Sequence, residues 1–232
     1  MRGAKRLRYA GFRYRCPNCR ARLRAFERYS PVGLQCPRCG ARDRHRLLAL
    51  YLERESAVAR SRPRVLHVAP EPAVRWVLER LGLSSYVSVD LEAGAAEVVA
   101  DLTALPFGAH SFDLVICSHV LEHVADDRKA LAELARVVSE RGEVVILTPL
   151  SYELEATIED PSLPPAERLE RFGQEDHVRI YGRDLVTRIE AAGLRPRRFD
   201  TGDLDEHSRH RAALASGLHV HGVRNELFAC SP

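Results

Sequence analysis

Two short motifs, Cys16-Pro-Asn-Cys19 and Cys36-Pro-Arg-Cys39, restrict what this 232-residue chain can fold into more than any other feature. Sixteen residues lie between them, and Gly40 directly follows the last cysteine. A C-x2-C turn aims two sulfurs at one point, and this spacing falls in the range of four-thiolate zinc sites. A tetrahedral Zn2+ accepts both pairs at roughly 2.3 Å. Two disulfides or four unconnected thiols are the alternatives. The matched build of the two turns, each with an internal proline, favours the metal. Four sulfurs leave no open coordination position, so such a site holds structure together and performs no chemistry. Residues 1–41 are therefore expected to form a zinc module held by Cys16, Cys19, Cys36 and Cys39. Short β-hairpins are expected around 12–14 and 33–35, and the chemistry must lie further along the chain.

The formal net charge of +3 hides an asymmetry. Residues 1–64 hold 18 Lys+Arg against 4 Asp+Glu, while the remaining 168 hold 17 against 28. A tetrathiolate zinc centre carries a net −2 and would attract some of those arginines, but not all of them. A polyanion such as RNA, gripped through phosphates with counterion release, is one partner for this arm. General solvation or an acidic partner is the other. The hydrophobic content of 45% is ordinary for a globular chain. No apolar run approaches the ~18–20 residues of a membrane span, and the basic start lacks the apolar h-region of a secretory signal. Reduced thiols and zinc suit a cytoplasm. Cys117 and Cys230 sit in apolar runs and are expected to be small buried hydrophobes.

From residue 43 to 59 the leucines Leu47, Leu48, Leu50 and Leu52, with Tyr51, form an apolar stripe of helical period. Ser61-Arg62-Pro63 ends that linking helix, which spans the region 42–63. Strands are then expected at 64–69, 86–90, 97–101, 112–117 and 142–148, with helices at 72–81 and 126–139. Near-continuous apolar strands separated by helices mean a parallel sheet covered on both faces. The segment 149–181 breaks the rhythm. It is acidic, contains Pro161, Pro164 and Pro165, and has the length of a functional lid. A helix over 182–192, stopped by Gly193, and strands at 195–200 and 222–230 complete the pattern. The polar stretch 201–221 holds His207, His210, His219 and His221. No acidic or cysteine pattern frames these four as a second metal site.

Ligands of open α/β sheets bind beyond the carboxyl ends of the strands. Asp90 ends the second strand, about twenty residues after the first, and a carboxylate there can accept both hydroxyls of a ribose. Asp101 at the tip of the third can accept an adenine amine. Together they fit an adenosine-containing ligand. The segments Val99-Ala-Asp101-Leu-Thr-Ala-Leu-Pro-Phe107 and Ser111-Phe-Asp-Leu-Val-Ile-Cys-Ser-His-Val-Leu-Glu-His123 carry a family likeness. The stretch 64–148 resembles the core of class I S-adenosylmethionine-dependent methyltransferases, of the small-molecule type, and 182–230 continues the resemblance. The chain is similar to a bacterial subgroup that joins a zinc ribbon, a basic helix like Arg44–Leu52, an LH-APE turn and a lid ending like Asp176-His-Val-Arg-Ile-Tyr181-Gly. The resemblance implies a Rossmann-like, doubly wound α/β fold with a seven-stranded sheet over 64–232 and a small N-terminal zinc ribbon. It also implies S-adenosylmethionine as cofactor. Asp90, with Leu91 beside it, would bind the ribose. Asp101 and the Leu102 backbone would hold adenine, and Ser118 and His119 would line the methionine end.

One departure stands out. Where the family has glycines after the first strand, this chain has Ala69-Pro70-Glu71-Pro72-Ala73, and two prolines remove two amides. The usual acidic residue of that strand is replaced by His67. Glu71 is therefore expected either to pair with the methionine ammonium or to act only as a helix N-terminal charge. Candidate bases are His119, His123 and His177, with Tyr181 at the end of the lid. Each has a structural alternative in packing or capping. Three functions are open: methyl transfer to a small acceptor such as a sugar or secondary metabolite, methyl transfer to RNA through the basic module, or a noncatalytic zinc-ribbon adaptor on the same scaffold.

Overall fold

A computed structural model describes residues 8–30, 33–214 and 223–232. The chain divides into two compact units. Met1–Arg62, Glu71–Leu83 and Phe199–Leu218 make the first; Pro63–Pro70, Ser84–Arg198 and His219–Pro232 make the second.

Two antiparallel ribbons come first, β1 (Ala10–Arg15) with β2 (Arg22–Leu23) and β3 (Glu27–Arg28) with β4 (Leu34–Gln35). They are the hairpins expected around the cysteine turns. Helix α1 (Asp43–Arg54) follows, then β5 (Arg64–Val68), α2 (Pro72–Leu81), β6 (Ser85–Asp90), β7 (Val98–Val99) and β8 (Phe112–Ser118). Helix α3 (Asp127–Val137) leads into β9 (Val138–Ser151). A small ribbon of β10 (Ile158–Glu159) and β11 (Arg179–Ile180) brackets α4 (Pro165–Phe172). The chain continues with α5 (Leu185–Ala191), β12 (Arg195–Phe199), α6 (Glu206–Arg211) and β13 (Val223–Ser231).

In the second unit a seven-stranded sheet runs in the order β12-β13-β9-β8-β5-β6-β7. β5 is parallel to both β6 and β8, and β8 to β9, while β13 is antiparallel to β9. The order reverses direction at β5, the switch point beyond which ligands of such sheets bind. Leu66, Val68, Val115, Cys117, Val144 and Ile146 from three neighbouring strands pack with Leu131, Leu134 and Val137 of α3. Cys117 and Cys230 are buried thiols, as expected, and burial pushes both upward. The seven-stranded, doubly wound class that the resemblance implied is therefore the observed one, with β13 antiparallel in an otherwise parallel run.

Several boundaries moved. The helix expected over 43–59 stops at Arg54, and Glu55 donates its amide to the Tyr51 carbonyl. The third strand is only the pair Val98–Val99, because Asp101 instead turns back to bond Thr103. The helix expected at 126–139 passes into β9 without a loop, with Asp126 as its N-cap accepting from the Lys129 amide at 3.0 Å. The register against β8 jumps from Phe112↔Val138 to Leu114↔Glu143. At this bulge a Cβ on Gly142 would lie 2.7 Å from the Asp113 carbonyl oxygen, so only glycine fits. The lid region has structure of its own, and the helix expected from 182 begins at Leu185.

In the first unit, α2 starts with Pro72 at its first turn and ends on Gly82 at φ +68, which relieves the left-handed cap. His45 of α1 reaches back so that its Nδ1 accepts the Arg42 amide at 3.1 Å. That is the reciprocal half of a capping box, made by an imidazole. Among the described residues no helix is long and apolar enough to cross a membrane.

Candidate functional site

The four cysteines of the zinc motif converge. Their sulfurs lie within 4.8 Å of one another, with Cys16–Cys39 at 3.8 Å and Cys19–Cys36 at 3.6 Å, and none is in a disulfide. A tetrahedral ion with Zn–S bonds of about 2.3 Å places its sulfurs about 3.8 Å apart, so the donor set fits zinc. The two turns repeat each other. Arg20 donates its amide to the Cys16 carbonyl at 2.9 Å, and Gly40 to the Cys36 carbonyl at 2.8 Å. Both fourth-position residues adopt positive φ, +61 at Arg20 and +73 at Gly40. The module also uses arginines structurally. Arg46 is buried and donates to the Leu34 and Ala41 carbonyls at 2.8 and 2.9 Å, and Arg80 donates to the Pro17 carbonyl at 2.7 Å.

Glu71 belongs to this first unit. Its Oε1 accepts from Arg44 and lies 2.7 Å from His45 Nε2. With Nδ1 bonded to the Arg42 amide, Nε2 is the nitrogen that donates. Burial alone would raise the Glu71 carboxyl, but the His45 hydrogen bond and the Arg44 charge outweigh it and hold it at about 2. A carboxylate already held by two donors is a poor partner for a methionine ammonium. The geometry therefore corrects that reading and gives Glu71 the part of an α1–α2 clasp.

In the second unit, Asp90 and Asp101 stand at the carboxyl ends of β6 and β7, whose last ladder pair is Asp90↔Val99. Both are held alike. Asp90 Oδ1 accepts the Glu92 amide at 2.9 Å, and Asp101 Oδ1 accepts the Thr103 amide at 2.7 Å and its hydroxyl at 2.8 Å. These bonds hold the Asp101 carboxyl below its ordinary value. Each turn leaves the second oxygen, Oδ2, without a hydrogen bond among the described residues. Leu91 beside Asp90 is 72% exposed, whereas the Leu102 side chain is buried. His67, on β5 between β6 and β8, is buried with Nδ1 3.1 Å from the Tyr86 hydroxyl. Ala69 closes β5 at φ +46, a conformation that glycine adopts more easily, and its amide bonds the Val89 carbonyl at 2.8 Å.

At the end of β8, Ser118 is buried and His119 takes φ +55. His119 Nδ1 lies 3.1 Å from Glu122 Oε1, and its Nε2 has no hydrogen-bond partner among the described residues. Glu122 is 1% exposed, and its Oε2 accepts from the Thr148 hydroxyl at 3.1 Å. Burial would raise this carboxyl, yet His119 brings it below its ordinary value. The lid's end is stitched to the same loop. Val178 donates its amide to the Glu122 carbonyl at 2.9 Å. The buried Arg179 donates to the carbonyls of Leu121 (2.6 Å), Ala125 (2.9 Å) and Val124. His177 is buried, and burial lowers its pKa despite Glu122 nearby. Its neighbour Asp176 does not orient it; the Asp176 carboxylate lies 3.3 Å from His123 Nδ1.

Tyr181 is not at the site. It is fully buried in the core, donating to Asp127 Oδ2 at 2.9 Å, and burial pushes the phenol well above its ordinary value. With Arg188 on the same Asp127 at 3.0 Å, it forms a structural network. Sequence reasoning missed Glu122, Arg179 and Asp127. The spacing His119-x-x-Glu122 and the arginine inside Asp176–Gly182 were the available signals. His207 and His210 lie on α6, where His210 stacks on Tyr14 at 5.4 Å; His219 and His221 lie outside the described residues.

Residues 70–146 match the family described as Methyltransferase domain. Ajmaline N-methyltransferase of Rauvolfia serpentina is 33% identical over 104 residues, 44% of this chain and 32% of that protein. The uncharacterized methyltransferase YcgJ of Bacillus subtilis is 32% identical over 93 residues, 40% of this chain and 32% of that protein. The chain thus spans about a third of the length of these curated relatives. The crystal structure of an S-adenosylmethionine-dependent methyltransferase from Mesorhizobium loti shares the fold at TM-score 0.55 and 16% identity, over 80% of this chain and 98% of that one. Residues 70–146 therefore resemble a methyltransferase domain, on a fold shared with the Mesorhizobium loti structure.

Proposed function

We propose that the protein transfers a methyl group from S-adenosylmethionine to a small-molecule acceptor, a sugar or other secondary metabolite, with a structural zinc in its N-terminal module. The observation that carries this reading is the pair Asp90 and Asp101, each with one oxygen tied to its own turn and the other open at the carboxyl edge of the sheet. When bound, S-adenosylmethionine supplies a methyl group on a positively charged sulfur. Asp90 would accept ribose hydroxyls, and Asp101 with the Leu102 backbone would meet the adenine. Holding donor and acceptor in line supplies most of the acceleration. His119 suits the removal of an acceptor proton, since Glu122 faces Nδ1 and leaves Nε2 available. Such a base contributes about 10²–10⁴-fold. A reducing, cytoplasmic setting belongs to the same proposal, because the four motif cysteines are free thiols that suit zinc.

Calorimetry of S-adenosylmethionine binding tests it. Asp90→Ala is expected to weaken affinity about 10–100-fold, as the loss of hydrogen bonds to a charged group does. No binding to the wild-type chain would sink the proposal and favour the noncatalytic adaptor. RNA as acceptor is a second reading, favoured by exposed aromatics beside arginines in the first unit. Arg22 lies 5.5 Å over the 73% exposed Phe12, and Arg42 lies 4.8 Å over Tyr29. Such pairs stack bases and grip phosphates. RNA affinity that falls steeply with salt would support it, and no affinity at low salt would end it.

A further inference from the structure

Three side chains beside His119 share a property that methyl transfer does not require. Glu122, His123 and His177 each bring a ligand atom to one place, and those atoms lie within 4.8 Å of one another. Glu122 and His123 follow β8 in one tight loop, whereas His177 comes from the far end of the lid, 54 positions along the chain. The loop and the lid's end are held together by the Val178 amide on the Glu122 carbonyl and by Arg179 on three carbonyls of the same loop. The convergence is therefore built by the backbone and does not depend on side-chain drift.

The donors are also prepared in the way metal ligands are. Glu122 is almost completely buried, and its Oε1 makes no well-formed hydrogen bond, although His119 Nδ1 stands 3.1 Å away. A carboxylate has about four lone-pair sites, and Thr148 and His119 address two. His123 has its Nδ1 against the Asp176 carbonyl at 3.2 Å and carboxylate at 3.3 Å. That is the outer-sphere partner that fixes a ligating imidazole and leaves Nε2 for the ion. The His123 and His177 rings meet edge to face at 4.7 Å between centroids. That contact alone would satisfy packing. It does not explain a buried carboxylate facing the same point.

We propose that Glu122, His123 and His177 form a second metal site, which takes a divalent transition-metal cation through two imidazoles and one carboxylate. The donor set separates it from the four-cysteine site. Imidazole and carboxylate suit Zn2+, Fe2+, Co2+ and Mn2+, and no thiolate is present to select a softer ion. Donors around such an ion sit about 2.0–2.2 Å from it and about 3.0–3.5 Å from one another, so loading draws the three side chains closer. Three protein ligands leave positions open. An ion here binds oxygen donors, which points to acceptors bearing hydroxyl groups; this last extension rests on the methyltransferase reading.

Full-length protein carrying one equivalent of Zn2+ in the cysteine site would be dialysed against Co2+ without cofactor. One Co2+ per chain is expected, with weak d–d absorption and no thiolate charge-transfer band. His177→Ala and His123→Ala are expected to lose at least tenfold in Co2+ affinity with unchanged circular dichroism. Glu122→Gln is expected to do the same. No Co2+ beyond the cysteine site, or undiminished binding in both histidine variants, would overturn the site. Calorimetry of S-adenosylmethionine on the same zinc-loaded samples, before Co2+ is added, reads the methyltransferase proposal separately, so either can fail alone.

Discussion

Around the four cysteines the buried residues are Cys16, Cys19, Leu23, Phe26, Cys36, Ala41 and Ala73, a cluster with little aliphatic volume. Under the sheet the buried residues are the strand leucines, valines and isoleucines packed on Leu131, Leu134 and Val137. The first region has too little apolar area to offset the entropy of ordering it, so the arginine–carbonyl bonds and the Glu71 clasp supply part of the difference, and the zinc proposed for the four sulfurs would supply the rest. The second region has that area and can place polar groups for binding. Polarity inside the zinc module is therefore a stability device, whereas polarity at the strand tips of the sheet is a candidate for function.

Removing the zinc proposed for the four-cysteine site should break this contrast most visibly. Structural zinc in small modules supplies about 10–16 kcal/mol of apparent binding free energy. Chelation, or Cys36→Ser, is expected to strip hydrogen-exchange protection from the Cys16, Arg20, Cys36 and Gly40 amides, while β5, β8 and β9 keep theirs. Protected turn amides in metal-free protein would mean that the module stands on packing after all.

The clasp comes next. The Glu71 carboxyl, ordinarily near 4.5, is held at about 2, so its stabilising effect is complete above about 4.5 and fades as pH falls toward 2. That shift corresponds to about 3 kcal/mol. Glu71→Gln should therefore be less stable by about this amount at pH 7 in urea titration, and should converge with the wild type near pH 2. An equal loss at both pH values would show that the contribution is not ionic.

In the second region Tyr181→Phe removes one buried hydroxyl but leaves Arg188 on Asp127. A cost of about 1–2 kcal/mol is expected, with cofactor affinity unchanged. A large loss of affinity would return Tyr181 to the site. The smallest effect is expected at Ala69, where φ is +46. Ala69→Gly relieves a left-handed strain of about 1–2 kcal/mol against a glycine entropy cost of about 0.5–1 kcal/mol, for a net gain of at most about 1.5 kcal/mol in thermal melts. Destabilisation would show that the proline-bounded turn is not strained.

The cysteine spacing, the strand–helix alternation and the positions of Asp90 and Asp101 were legible along the chain because each is local. Two turns build one tetrathiolate, apolar runs report burial, and a strand's last residue lies at the sheet edge wherever that strand sits. Boundaries were less legible where tertiary partners compete with local preference, as when α3 flows into β9 across the Gly142 bulge. Glu71 read as a cofactor ligand because the turn after β5 lacked any other acid; only the fold brought Arg44 and His45 onto it. Tyr181 read as a reactive phenol for its place at the end of the lid, and only packing put it in the core.

What the linear order determined is the class of the fold, the two cysteine turns and the placing of Asp90 and Asp101 at strand tips. What the tertiary structure decided is every pairing across long separations: Glu71 with α1, Arg179 with the loop after β8, and His177 with Glu122 and His123. Such pairings depend on where chain segments return in space. The energy that selects them comes from burial and hydrogen-bond satisfaction summed over the whole core, which no local run of residues encodes.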